Sequence, residues 1–220
     1  MGFSLIAEGL LQYHLPRSGW AELISKLGYS TGFLIVILGR QQLFTENTLT
    51  PILPLLKHKN FRVFLNVLRL WSIVLTANLL GGLAVAWVSV ATSAFEPGVR
   101  EQFVQLGQEA MAGSFGTILL RGVFAGWLIA LMVWLLPFAE AGRIWVIIIL
   151  TYLVGLGHFS HIIAGAIKVF ALAFHGGTGW WSVCSHYLAP TLIGNMMGGI
   201  TLVAALNHAQ VVSGAEGEDV

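Results

Sequence analysis

Between Val63 and Ser93 the chain runs for 31 residues with one charged side chain, Arg69. From Met111 to Phe138 it again carries one, Arg121. A helix crosses the hydrocarbon layer of a bilayer in about 20 apolar residues, so runs of this length point to lipid as the solvent. The whole chain agrees: 56% of residues are hydrophobic and 10% are charged, where a soluble domain carries about a quarter. In hydrocarbon, each backbone N–H and C=O needs a partner within the protein, which leaves helices or a closed barrel. The period-two alternation of barrel strands is absent. The sequence therefore reads as an all-α polytopic membrane protein with one domain. A net charge of +1 gives no electrostatic footprint for nucleic acid. Cys184 is the single cysteine, which excludes an intrachain disulfide and implies no metal cluster.

The apolar runs are Met1–Leu15, Leu23–Gly39 continuing to Leu49–Leu56, Val63–Ser93, Met111–Phe138, Ile144–Leu156 continuing to Phe174, and Tyr187–Leu206. The first is short for a span and lacks the charged start of a signal peptide. Glu96–Gln108 reads as a polar segment between spans, and 213–220 as an acidic, mobile tail. Six crossings place Lys57, Lys59, Arg62 and Arg143 on one side, which the distribution of basic residues makes cytoplasmic, together with both termini. Arg17, Arg100, Glu96, Glu101 and Glu109 fall on the other side, with Trp20, Trp180 and Trp181 at its interface.

Two of the spans are interrupted by polar residues, at QLFTENT (Gln42–Thr48) and GHFSH (Gly157–His161). Asn78-Leu-Leu-Gly81-Gly82 recurs 117 positions later as Asn195-Met-Met-Gly198-Gly199. The same offset carries Thr45 to the neighbourhood of His161 and Gly9 to Gly126. Helix, interrupted helix, and helix with N-x-x-G-G thus repeat. Three crossings is an odd number, so the copies are inverted, about 1–95 and 110–210 within a channel domain of 1–212. Paired interruptions in inverted repeats mark a transport site near the midplane. Against this stands small-residue helix packing that arose twice. The offset also places the start of the fourth run before residue 1, so the first helix is expected to be truncated.

The central Leu43-Phe44-Thr45, the histidine at the matching break and the late Gly-Asn-x-x-Gly-Gly, in this order and spacing from about Gly2 to Val211, resemble the formate/nitrite transporter family. The resemblance implies six membrane helices with the second and fifth broken, an aquaporin-like shape, and a homopentamer with one pore per protomer. It also implies passage of small monovalent anions or their protonated acids. Leu43, Phe44 and Thr45 match the family's loop at the cytoplasmic constriction, and His161-Ile-Ile-Ala matches its central histidine motif. Departures bear on the substrate. Gly165 and Gly126 stand where the family has asparagines, and Ala110 stands near the place of a family lysine. Glu46 and Arg121 are added charges.

Individual residues carry competing readings. His161 is a proton donor to a weak-acid anion at mid-membrane, or a neutral histidine bonded between broken helices. Thr45 bonds the solute or satisfies backbone freed by the break. Glu46 and Asn47 cap the following half-helix, unless Glu46 faces the pore. Leu43 and Phe44 gate or pack. Arg121 attracts anions at the inner end or pairs with Glu8. Lys168, two turns after His161, attracts anions at the outer end or snorkels to the headgroups. Asn78 and Asn195 are expected to bond the interrupted backbones, with Gly81, Gly82, Gly198 and Gly199 allowing close packing. His158 and His161 lie three apart with no third ligand nearby, so no metal site is expected, and no cofactor. No nucleophile–base set suggests an enzyme. The leading expectation is an inner-membrane channel for a small monovalent anion or its acid. The alternatives are a pore for neutral solutes and a non-conducting regulator or scaffold.

Overall fold

The computed structural model describes residues 1–16, 18–48 and 60–202. Within them the chain forms helices α1 (Gly2–His14), α2 (Gly19–Leu38), α3 (Phe61–Ala91), α4 (Pro97–Met111), α5 (Phe115–Leu135), α6 (Arg143–Leu156) and α7 (Ile162–Phe174). A last helix, α8, runs from Trp180 to residue 202 with a π-helical stretch at Val183–Leu188. No strand occurs among the described residues. The basic residues Arg17, Lys57 and Lys59, the Leu49–Leu56 run and the 213–220 tail lie outside the described residues.

Among the described residues, three stretches are long and apolar enough to cross a membrane: Gly19–Leu38, Phe61–Ala91 and Phe115–Phe138. Helices α6 and α7, at 14 and 13 residues, each rise only about 20 Å and are too short to cross alone.

Helix α7 is the centre of the molecule. Every residue from Ile162 to Ala173 is buried, the signature of a helix that is apolar all round and packed on all sides. Helices α3 and α4 pack against it, as does the π-helical stretch of α8. Helix α1 packs on α2, and α2 on α6. Polar cross-links pin the last pair: Thr151 Oγ1 donates to Ser30 Oγ at 2.8 Å. By contrast α3 presents Phe61, Leu65, Ile73, Leu80 and Trp87 outward, all exposed.

Glu96–Gln108, expected as a polar segment, lies within a helical region. Helix α4 starts at Pro97, where a missing N–H is harmless. Val99, Phe103, Leu106 and Gly107 form its buried face against α7, while Glu101, Gln105 and Gln108 point outward. The many polar residues of the segment hid a single apolar stripe.

Glycines set the closest helix approaches. A side chain at Gly28 would meet the backbone N of Glu8 at 2.6 Å. One at Gly107 would meet Lys168 O at 2.6 Å, and one at Gly198 would collide with Val123 O on α5. Gly81 corrects an expectation: nothing lies within 4 Å of its would-be Cβ, and Gly82, facing Ile167 at 3.0 Å, is the packed member of the pair. Overpacking against rigid backbone costs about 1–3 kcal/mol. Gly28→Ala is therefore expected to lower the melting temperature of the detergent-solubilised protein clearly, and Gly81→Ala to leave it unchanged. Equal shifts in a thermal unfolding assay would contradict this packing.

Candidate functional site

Helices α2 and α6 end in the same way. Each has a glycine C-cap, Gly39 or Gly157, followed by a non-glycine residue in the left-handed region, Arg40 at φ 51° or His158 at φ 50°. In each, the next N–H reaches back five residues: Gln41 N to Val36 O at 2.8 Å, Phe159 N to Val154 O at 3.0 Å. This is the Schellman closure, which normally places glycine in the left-handed position. Both chains then run irregularly across the centre of the molecule, where backbone groups have no helix to satisfy them.

Two asparagines supply the missing partners. Asn78 Oδ1 accepts from Phe44 N at 3.0 Å, and its Nδ2 donates to Gln42 O at 3.1 Å. Asn195 Oδ1 accepts from Ile162 N at 2.9 Å, and its Nδ2 donates to Ser160 O at 2.7 Å and Gly122 O at 2.9 Å. Each amide bonds residues i and i+2 of its segment. The hydrogen bonding pairs Phe44 with Ile162, so the position matching His161 is Leu43 and not Thr45.

Thr45 and His161 meet directly. Thr45 Oγ1 lies 2.8 Å from His161 Nε2, both side chains buried. On its other edge the ring caps α7: Nδ1 accepts from Ile163 N at 3.3 Å and from Ala164 N at 3.2 Å. An Nδ1 that accepts two backbone N–H bonds carries no proton, so the neutral ring holds its proton on Nε2, which donates to Thr45 Oγ1. Phe33 packs edge-on against the ring at 5.1 Å between centroids. Leu43 and Phe44 are buried beside this contact, and Phe44 meets Trp71 edge to face. Thr48 Oγ1 donates to Thr45 O at 2.7 Å and Trp71 Nε1 to Asn47 O at 2.8 Å, which hold the loop in shape. Glu46, half-buried, opens the 3-10 turn Glu46–Thr48. The half-helix that Glu46 and Asn47 were expected to cap would lie in residues 49–59, outside the described residues.

Beside His161 lies a cavity of about 40 Å³ whose lining includes His161, Ser160, Gly165, Lys168, Tyr187 and Lys26, but not Leu43 or Phe44. It has room for a few water-sized species. Its charges differ from the expected set. Glu8 is fully buried, with Oε1 2.8 Å from Lys26 Nζ and Oε2 2.6 Å from Lys168 Nζ. The Lys168 ammonium also stands 5.1 Å from the centre of the Tyr29 ring. Glu8 therefore does not pair with Arg121, whose Nη1 donates to Ala112 O at 2.8 Å away from the cavity lining. Lys168 does not snorkel, because α7 is enclosed on all sides and its carboxylate partner is inside.

Gly165 and Tyr187 are complementary. The Tyr187 hydroxyl occupies the space that a Gly165 side chain would need. The π-helical stretch of α8, a widened turn that often marks functional positions, carries the buried tyrosine to this place. Gly126 faces the Asn195 backbone, with the would-be Cβ 2.5 Å from Asn195 O, and has no view of the cavity. Among the described residues no three metal-ligating side chains come together.

The profile of a family described as formate/nitrite transporter matches residues 1–209. The chain is 39% identical over 211 residues to the inner membrane protein YfdC of Escherichia coli strain K12, covering 96% of this chain and 68% of that protein. It is 26% identical over 199 residues to the formate channel BtFdhC of Bacillus thuringiensis, covering 86% and 74%. A solved pentameric formate channel with formate bound superposes with a TM-score of 0.79 at 18% identity, covering 96% of this chain and 93% of that one. At that identity the superposition speaks for the fold alone.

The buried groups give two predictions. Glu8→Ala leaves two ammoniums without their shared carboxylate. Breaking a buried pair costs about 3–5 kcal/mol, so the variant is expected to lose most folded protein on size exclusion in detergent. Asn195 satisfies three buried backbone groups and Asn78 two at a half-buried position. An orphaned buried group costs about 1–3 kcal/mol. Asn195→Ala should therefore lower the melting temperature more than Asn78→Ala, and the reverse order would contradict the assignment.

Proposed function

The chain belongs to the formate/nitrite transporter family, and on that premise we propose that it is a membrane channel for a small monovalent anion or its conjugate weak acid. The observation that carries the reading is the 2.8 Å contact between Thr45 Oγ1 and His161 Nε2, which joins the two interrupted segments. In this reading the two halves are inverted three-helix repeats, each with one broken membrane helix. The matched Schellman ends and the matched asparagine bonds support it. The path runs from the Lys26–Lys168 cavity past His161 and Thr45 to a constriction at Leu43 and Phe44.

The lysines draw the anion in. At the break, the solute takes the place of Thr45 Oγ1 on the Nε2–H of His161. This narrows the expected role of the histidine. Its Nδ1 is committed to two backbone N–H donors at a helix start, where the helix dipole is positive. A second ring proton there would face donors and a like charge. His161 therefore acts as a hydrogen-bond donor, and a solute that crosses as the acid brings its proton from the water. Protonation outside is what makes the apolar Leu43–Phe44 step passable, since an ion in hydrocarbon costs several kcal/mol.

Five copies assemble with one path in each, the exposed apolar face of α3 lying against neighbours or lipid. The protein resides in the inner membrane with both termini on the cytoplasmic side. A second reading has one specific support. The outer pocket above the cavity is lined by Glu22, Glu101 and Glu109, which disfavours anions and suits neutral solutes.

Flux measured in proteoliposomes separates the readings. Formate uptake is expected in the intact protein and should fall at least about tenfold in His161→Ala, the loss of one well-placed buried hydrogen bond. Water or glycerol passage without formate passage would establish the neutral-solute pore instead. An intact oligomer that passes none of these would overturn both.

A further inference from the structure

Two cavities meet at one side chain. Glu109, near the end of α4, lines the small inner cavity with Lys26 and His161, and also the outer pocket of about 550 Å³ with Glu22 and Glu101. Its Oε2 lies 3.4 Å from Lys26 Nζ. The inner ions are not equivalent. Glu8 is 0% exposed and Lys26 1%, whereas the Glu109 side chain is 44% exposed. Glu8 has one negative charge for two ammoniums, so the buried trio carries a net charge of +1. Glu109 supplies the balancing charge from the water side of the wall.

From this arrangement we propose that Glu109 is a tethered, exchangeable counter-ion that latches the mouth of the inner cavity, and that a small monovalent oxyanion such as a short carboxylate enters by displacing it from Lys26. The proposal rests on the anion reading given above. Glu8 cannot play this part, because leaving would strand a carboxylate and two ammoniums out of water. Glu109 can, because its carboxylate already contacts solvent and its bond to Lys26 is long for a charge-assisted hydrogen bond. An incoming carboxylate offers Lys26 the same partner chemistry without the tether. The exchange keeps the inner charge balanced at every stage, while the displaced Glu109 turns to the outer pocket.

The test compares Glu109→Gln with Glu101→Gln in the full-length protein. Glu101 lines the same outer pocket and makes no ion pair among the described residues, so it reports the general charge of the mouth. With sodium formate in proteoliposomes at low salt, Glu109→Gln is expected to lower the concentration for half-maximal flux about twofold to fivefold, the range of a partly exposed ion pair. Glu101→Gln, which removes one mouth carboxylate without freeing Lys26, should lower it clearly less. Equal effects of the two, or none from Glu109→Gln, would overturn the latch. If the intact protein passes no formate, the conduit reading falls but the latch is still read out by binding. Formate should then raise the melting temperature of the solubilised protein, with half-saturation at a lower concentration in Glu109→Gln. Absence of that displacement, or of any formate-dependent rise, overturns the proposal.

Discussion

An irregular backbone at the centre of an apolar molecule must have its N–H and C=O groups answered by the protein itself. Asn78 and Asn195 meet that demand. A carboxamide offers one acceptor and two donors on a short stem, which suits a chain that has just left one helix and has yet to enter another. The rest of the site follows from this. With residues 42–44 and 160–162 held in place, Thr45 and His161 come within hydrogen-bond reach. The histidine closes the start of α7, and the cavity opens above it. Gly82 brings α3 close to α7, and Gly198 brings α8 close to α5.

Much of this was legible in the residues. Polar interruptions in long apolar runs, and a twice-written N-x-x-G-G, mark the two segments and their supports before any coordinates. What was hidden has a common cause. Lys26, Glu8 and Lys168 come from three helices, with Lys168 160 positions from Glu8, and no spacing rule links them. The pairing of Glu8 with Arg121 follows from helix equivalence. It fails because Lys26 lies on the packed neighbour α2 and Lys168 on the enclosed α7 (Arg121 finds Ala112 O close at hand). Helix α4 escapes notice because its outward glutamines weigh as heavily in the sequence as its inward Phe103 and Leu106. Tyr187 gave no signal, since a π-helical turn has no signature in a lone sequence.

Gly165 and Tyr187 show how a site can be rewritten without loss of packing. A residue that would project from α7 is absent, and a hydroxyl from α8 fills its volume. The cavity thus takes its polar group at that place from α8 and not from α7. Substrate preference depends on such details of hydrogen-bond direction, because a site made for one polar partner rejects its analogue through groups left unpaired. The family profile and the superposition speak for the fold; these few atoms bear on hydrogen bonding within the cavity.

The salt bridge across 160 positions has a consequence for how the molecule is made. The carboxylate of Glu8 leaves the ribosome long before its second ammonium, Lys168. Glu8 finds Lys26 early, on the next helix, but Lys168 is a costly visitor in lipid until it reaches Glu8. Integration of the short α7 must therefore wait for the N-terminal helix to stay close by, held by its dock on α2. A copy whose α7 packs without meeting Glu8 keeps an ammonium among apolar helices with no carboxylate to answer it.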